Sequence, residues 1–295
     1  CGYQLTAGIS GVETSSYYSN IDDAFAAAVS EENNGCTLTL YKNCELSQVT
    51  EIRNATVTVD VNGYSLGGIY AEIDVIDDGV MYLKDSRKST YNGIINTPVV
   101  VNGGTLINGS ADGSSSAVDI YQLGVQRAES VEIYGGRCET LFIENASGIA
   151  LYGGSYGLIH GNENVTNTPV SNLLAKGYAF ATLNEVTNLP EKIVDGSTTM
   201  IGGTLENVVV LEHTHTYTET NTKCACGAVL YAKVTTADGT VEKFDNIEEG
   251  LLYADKAENK GCVFTVVTTG GLENDITLSS GQFTIAAIDD NYINA

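Results

Sequence analysis

SVEIYGGRC at residues 130–138 and GIALYGGSYG at residues 148–157 decide the fold. In both stretches large apolar residues alternate with a polar or small one (Glu132, Ala150), a tyrosine follows, and a Gly-Gly pair comes next. Alternation with period two puts Val131 and Ile133 on one face, and does the same for Ile149 and Leu151. Gly-Gly lets the backbone turn a corner where a Cβ would clash. The unit recurs as VNGGT at 101–105 and, shortened, as IGGT at 201–204. The two quoted copies lie about 18 residues apart, the length of one solenoid coil. Working outward, ATVTVDVNG (55–63), GVMYLKDS (79–86), PVVVNGGTLING (98–109) and AVDIYQLG (117–124) are also short strands bounded by turn residues. A parallel β-helix accommodates this pattern. The rivals are a propeller and a β-sandwich, for which Asn62-Gly63 and Asn92-Gly93 are hairpin signals.

A longer repeat frames the strand stack. YSNIDDAFAAAVSEENNGCTLTLYK (18–42) aligns without a gap on FDNIEEGLLYADKAENKGCVFTVVT (244–268). The offset that carries Cys36 to Cys262 also carries Thr58 and Val59 to Thr284 and Ile285. Each copy opens with a helix signal: Ser19 or Asn20 as cap, Asp22 and Asp23 in the positive first turn, and Asn246 with Glu248 and Glu249 in the second copy. Such a helix covers the otherwise exposed end of a strand stack. Cys1-Gly2 with Leu5 and Ala7 is similar to Cys226-Gly227 with Leu230 and Ala232, which makes residues 1–17 the tail of a preceding module. A lipoprotein's first residue is the other account of Cys1. Cys262 matches Cys36, but Gly270 stands opposite Cys44. Cys36 therefore reads as a small buried apolar residue rather than half of a disulfide, and so does Cys138.

Composition narrows the partners. Acids outnumber bases 37 to 14, a net charge of −23, which argues against nucleic acid and anionic membrane surfaces. The one short basic cluster, Lys84, Arg87 and Lys88, reads as a solvated turn. No run of 18 apolar residues exists, so no membrane insertion is expected.

The IDDAFAAA…GCTLTLYKN unit and the GGT-type turns resemble right-handed parallel β-helix proteins of the pectin-lyase-like superfamily. The likeness is to large repeat proteins secreted or surface-anchored by Gram-positive anaerobes, and it covers roughly residues 18–211. It implies an all-β, right-handed parallel β-helix (solenoid) with a short N-terminal capping helix. The expected organisation is a β-helix over 18–211, a His/Cys linker module over 212–230, and the beginning of a second copy over 231–295. It further implies an extracellular or cell-surface location and tandem copies in one chain. Carbohydrate or a host or cell-surface protein is the expected partner.

HTHTYTETNTKCACG (213–227) stands apart from the strand pattern. His213 and His215, then Cys224 and Cys226, supply four soft or borderline ligands, the number and type of a closed tetrahedral Zn²⁺ site. Cys-x-Cys is tighter than the common knuckle spacing. A plain polar linker and a strained Cys224–Cys226 disulfide are the alternatives. The segment also resembles the His-x-His-x-Tyr…Cys-Gly linkers of the same surface proteins, which implies a structural role.

Pectin-lyase-like folds host glycosidases and lyases, which work with positioned carboxylates. Asp74, Asp77 and Asp78 cluster in AEIDVIDDG. Asp119, Glu132 and Glu144 sit on successive strands, with Asp119 and Glu132 able to stack on one outer face. The Asn-Thr-Asp and Arg-Ile-Lys motifs of polygalacturonase-like enzymes are missing, and His160 lies in Ile-His-Gly. No catalytic residue is assigned on this basis. Asp-rich segments also suit Ca²⁺, although no GGxGxDx nonapeptide occurs. The expected function is an adhesin-like or structural repeat protein, glycan-binding and non-catalytic. A polysaccharide-degrading enzyme on the same fold is the alternative.

Overall fold

A computed structural model describes residues 2–9, 12–87, 92–184, 186–200, 204–218, 221–272, 274–288 and 290–294. The chain divides into two compact units, Cys1–Thr214 and His215–Ala295.

The first unit is a parallel β-solenoid. One sheet stacks Cys36–Leu40, Thr56–Asp60, Val80–Lys84, Thr105–Asn108, Ser130–Ile133 and Ile149–Leu151 in parallel. A second face stacks Cys44–Glu45, Ser65–Gly67 and Ile94–Ile95, then the start of Asp119–Arg127, then Arg137–Ile143 and Ser155–Gly161. The third runs through Thr50–Arg53, Ile73–Ile76 and Val99–Asn102 to the far half of Asp119–Arg127. The alternation read from the sequence is the pattern of burial. Leu38, Val57, Val59, Met81, Leu106, Val131 and Leu151 are fully buried, one coil above another. Each such side chain adds about 1.5–3 kcal/mol of hydrophobic stabilisation.

Backbone groups at the corners are satisfied by side chains that reach from coil to coil. Asn34 Oδ1 accepts from the Thr56 amide, Asn43 Oδ1 from Ser65, Asp60 Oδ1 from Ser86 and Asp119 Oδ1 from Arg137. Asn108 is buried and bonds both the amide and the carbonyl of Val118. The Gly-Gly corners work as expected. Gly154 has φ +91°, and a Cβ on Gly153 would lie 2.7 Å from the Tyr134 carbonyl oxygen. The IGGT unit falls largely on 201–203, outside the described residues.

Both ends of the stack carry antiparallel strands that the sequence reading did not anticipate. At the N-terminal end β1 (Tyr3–Ile9) pairs with β2 (Val12–Tyr18) and with β3 (Cys36–Leu40), both antiparallel. Residues 1–17, read from sequence as a preceding module's tail, include β1, which pairs directly with the first coil's β3. Helix α1 (Ile21–Ala28) follows, with Asn20 Oδ1 accepting from Asp22 and Asp23. At the other end Ser155–Gly161 pairs antiparallel with Thr204–Glu212, which pairs antiparallel with Tyr178–Leu183.

The second unit repeats the opening of the first. Strands Ala232–Thr235 and Val241–Phe244 form an antiparallel hairpin, and Val263–Val266 joins it antiparallel. Helix α2 (Ile247–Ala254) is capped by Asn246, as α1 is by Asn20. The parallel step is identical in register: Thr37 pairs with Thr58, and Val263 with Thr284. Cys36 Sγ donates to the Ala28 carbonyl at the end of α1, and Cys262 Sγ does the same to Ala254.

One correction follows upstream. Gly2 N donates to Tyr18 O and Gly2 O accepts from Tyr41; Tyr231 makes the equivalent bonds with Phe244 and Val267. Gly2 therefore matches Tyr231, and Leu5 matches Val234 rather than Leu230. The hairpin arms are seven residues in the first copy and four in the second. A reading with a single inserted residue across the hairpin slips for that reason. Cys1 lies outside the described residues.

Candidate metal centre

The ligand atoms of His213, His215, Cys224 and Cys226 all lie within 4.8 Å of one another. With Zn–S near 2.3 Å and Zn–N near 2.0–2.1 Å, the edges of a tetrahedral ZnS₂N₂ unit are about 3.3–3.8 Å. The four groups thus stand within about an ångström of closing around one ion. Local sequence explains the convergence. Gly227, at φ +90°, turns the chain so that Cys224 N donates to Ala228 O at 2.8 Å and Gly227 N to Cys224 O at 2.9 Å. This tight turn presents both thiols on one side. Leu230 N then bonds Thr222 O at 2.7 Å, closing the loop on itself. From the other side of the loop, Thr216 N donates to Cys224 Sγ at 3.4 Å. His213 follows the strand Thr204–Glu212, and its amide donates to Gly177 O at 2.8 Å.

Both cysteines are buried and neither is in a disulfide. Burial pushes the Cys226 thiol up to about 11, with the neighbouring Cys224 adding to the rise. A bound dication reverses that preference, because it replaces the proton on sulfur. Tyr217 is 8% exposed, and its hydroxyl is buried with no hydrogen-bond partner among the described residues. The segment supplies almost no apolar core: Ala232, Val234, Ile247, Leu251 and Phe264 belong to the hairpin, helix and strand beyond it. A dication at the four ligands would be the centre around which 213–227 orders.

The carboxylates singled out in the sequence do not assemble. Asp119 lies on the second face and Glu132 on the first, so they do not stack together. Asp119 caps the corner at Arg137 and holds Asn92, while Glu132 accepts from Tyr134 Oη at 2.6 Å. Asp77 is paired with Arg53. Exposed His160 rests edge-on against Phe142. A cleft of about 810 Å³ is lined by Gln126, Arg127, Glu144, Asn145, Asn164 and Thr168 among others. Among the described residues on that wall Glu144 is the one carboxylate. Lys88 of the basic cluster lies outside the described residues.

Asp74 is the exception in its electrostatics. Desolvation, then the hydrogen bond and charge of Glu72, then the charge of Glu51, push its carboxyl up to about 7, and Oδ1 has no hydrogen-bond partner among the described residues. A carboxyl that holds its proton more tightly in the folded state penalises folding once it ionises. Stability from this group is undisturbed at acid pH and falls as pH rises from about 4 to about 7. The Asp74→Asn variant is expected to flatten that fall and to be the more stable protein near pH 8. Urea midpoints across the range check this; parallel profiles for the two proteins would contradict it.

No family model, curated protein or solved structure matches the chain. Among the described residues no helix is long and apolar enough to cross a membrane.

Proposed function

We propose that this chain is a non-catalytic extracellular repeat scaffold whose solenoid is followed by a knuckle closed on a structural zinc ion. The convergence of His213, His215, Cys224 and Cys226 carries this reading. Four protein ligands complete a tetrahedron and leave no position for a water or substrate, which is the pattern of a structural rather than a hydrolytic site. The soft thiolate pair favours zinc over calcium or magnesium. The extracellular, surface-protein setting rests on the pectin-lyase-like resemblance of the strand and turn pattern. Glycans are the ligand class proposed for the scaffold. Tyr121, Tyr70 and Tyr41 are exposed, at 53%, 91% and 47%, and an open tyrosine ring is a surface on which sugars stack.

Native mass spectrometry of the chain supplied with Zn²⁺ tests the metal. One ion per chain is expected, and none in a Cys224→Ser/Cys226→Ser variant. A wild-type chain that remains metal-free would overturn the reading.

A further inference from the structure

Within the second unit, His215 is held on both ring nitrogens. Nδ1 lies 3.1 Å from Cys226 Sγ, and Nε2 lies 3.1 Å from Asp245 Oδ2. An ionised carboxylate only accepts, so the Nε2 position carries the proton and Nδ1 presents its lone pair to the thiol side. Ligand histidines in metal centres are ordinarily fixed in this way, by a carboxylate or carbonyl on the remote nitrogen.

The internal repeat supplies an independent observation. Phe244 matches Tyr18 and Asn246 matches Asn20, so Asp245 occupies the place of Ser19. Lys243, which matches Tyr17, donates from Nζ to the Tyr217 carbonyl at 3.1 Å. The same hairpin and capped helix form in the first copy without either charge. Neither charge is therefore required by the fold of the repeat, and both reach the His215–Tyr217 segment.

We infer that Asp245 is the positioning residue of the metal centre: it fixes His215 in the Nε2–H tautomer so that Nδ1 ligates the ion, and ties the knuckle to the start of α2. Asp245 immediately precedes Asn246, whose Oδ1 accepts from the Glu249 amide at 3.0 Å. A bound ion would thus be linked through His215 and its hydrogen bond to Asp245 to the residue next to the helix cap. This inference rests on the zinc reading above.

The test uses the full chain with Zn²⁺. Long-range ¹H–¹⁵N correlation of the imidazoles should show His215 bound through Nδ1 and protonated at Nε2, with no variant needed. Competition with a chromophoric chelator should show Asp245→Ala binding Zn²⁺ 10–100-fold more weakly. Asp245→Asn, whose Oδ1 still accepts from Nε2–H, should recover most of that loss. Co²⁺ spectra should shift in Asp245→Ala and return in Asp245→Asn. One Zn²⁺ per chain with His215 bound through Nε2, or with unchanged affinity in Asp245→Ala, overturns the role of Asp245 and leaves the metal centre standing. A wild-type chain that binds no Zn²⁺ overturns both.

Discussion

Chelation of the metal is expected to strip hydrogen-exchange protection from residues 222–230 by at least about 100-fold while leaving the solenoid strands unchanged. The reason is the makeup of the knuckle. Its order rests on a few short-range bonds, Cys224 N to Ala228 O, Gly227 N to Cys224 O and Leu230 N to Thr222 O. Isolated turns of this kind are marginal without a core. Structural zinc sites bind with free energies that exceed the stability of small modules, so the binding energy is effectively folding energy. A loss of about 3 kcal/mol in local opening energy corresponds to the stated factor. The solenoid has its own continuous core from Tyr3 to Val210. Exchange followed by mass spectrometry, with and without a chelator, reads both regions in one experiment. Equal protection in residues 222–230 under the two conditions would show that the knuckle is held by the polypeptide alone.

Phe25→Ala is expected to cost about 3–5 kcal/mol. Phe25 is fully buried on α1, which packs against β1, β3 and the strand Thr50–Arg53. It fills the end of the stack where the first coil has no coil below it. Removing the ring leaves a cavity that neighbouring sheets, fixed by their ladders, cannot close. Tyr17, 59% exposed on β2, is the control: Tyr17→Ala is expected to change stability by less than about 0.5 kcal/mol. Chemical denaturation measures both. A cost below about 1 kcal/mol for Phe25→Ala would mean that the helix lies on the stack without sealing it.

What was legible in the sequence was what repeats locally. The alternation in SVEI and GIAL became the burial pattern of the first sheet, and the Gly-Gly pairs became its corners. The match of Cys36 to Cys262 had a physical basis, since both thiols donate to the last carbonyls of their helices. The antiparallel closures were not legible. β1 and β2 pair with β3 through strands whose alternation resembles that of any other strand, and nothing local marks the direction of pairing. The unequal hairpin arms also concealed the match of Gly2 to Tyr231.

The four candidate metal ligands were visible because they lie close together in the chain and are rare in it: the protein has three histidines and seven cysteines. Asp245 was missed because it lies beyond the knuckle, in a segment that aligned as ordinary repeat. A signal did exist in the contrast between Asp245 and Ser19 at one repeat position. It acquires meaning only once the hairpin brings that position to His215. The outward acids were over-read for a related reason. Asp119 and Glu132 share an alternation pattern, but pattern alone does not say which of three faces a strand joins.

The central claim is a closed ZnS₂N₂ centre, and X-ray absorption at the zinc edge of the metal-loaded full chain tests it most directly. Two sulfur scatterers near 2.3 Å and two imidazole nitrogens near 2.0–2.1 Å are the expected shell. A shell dominated by oxygen, or one with fewer than two sulfurs, would contradict it.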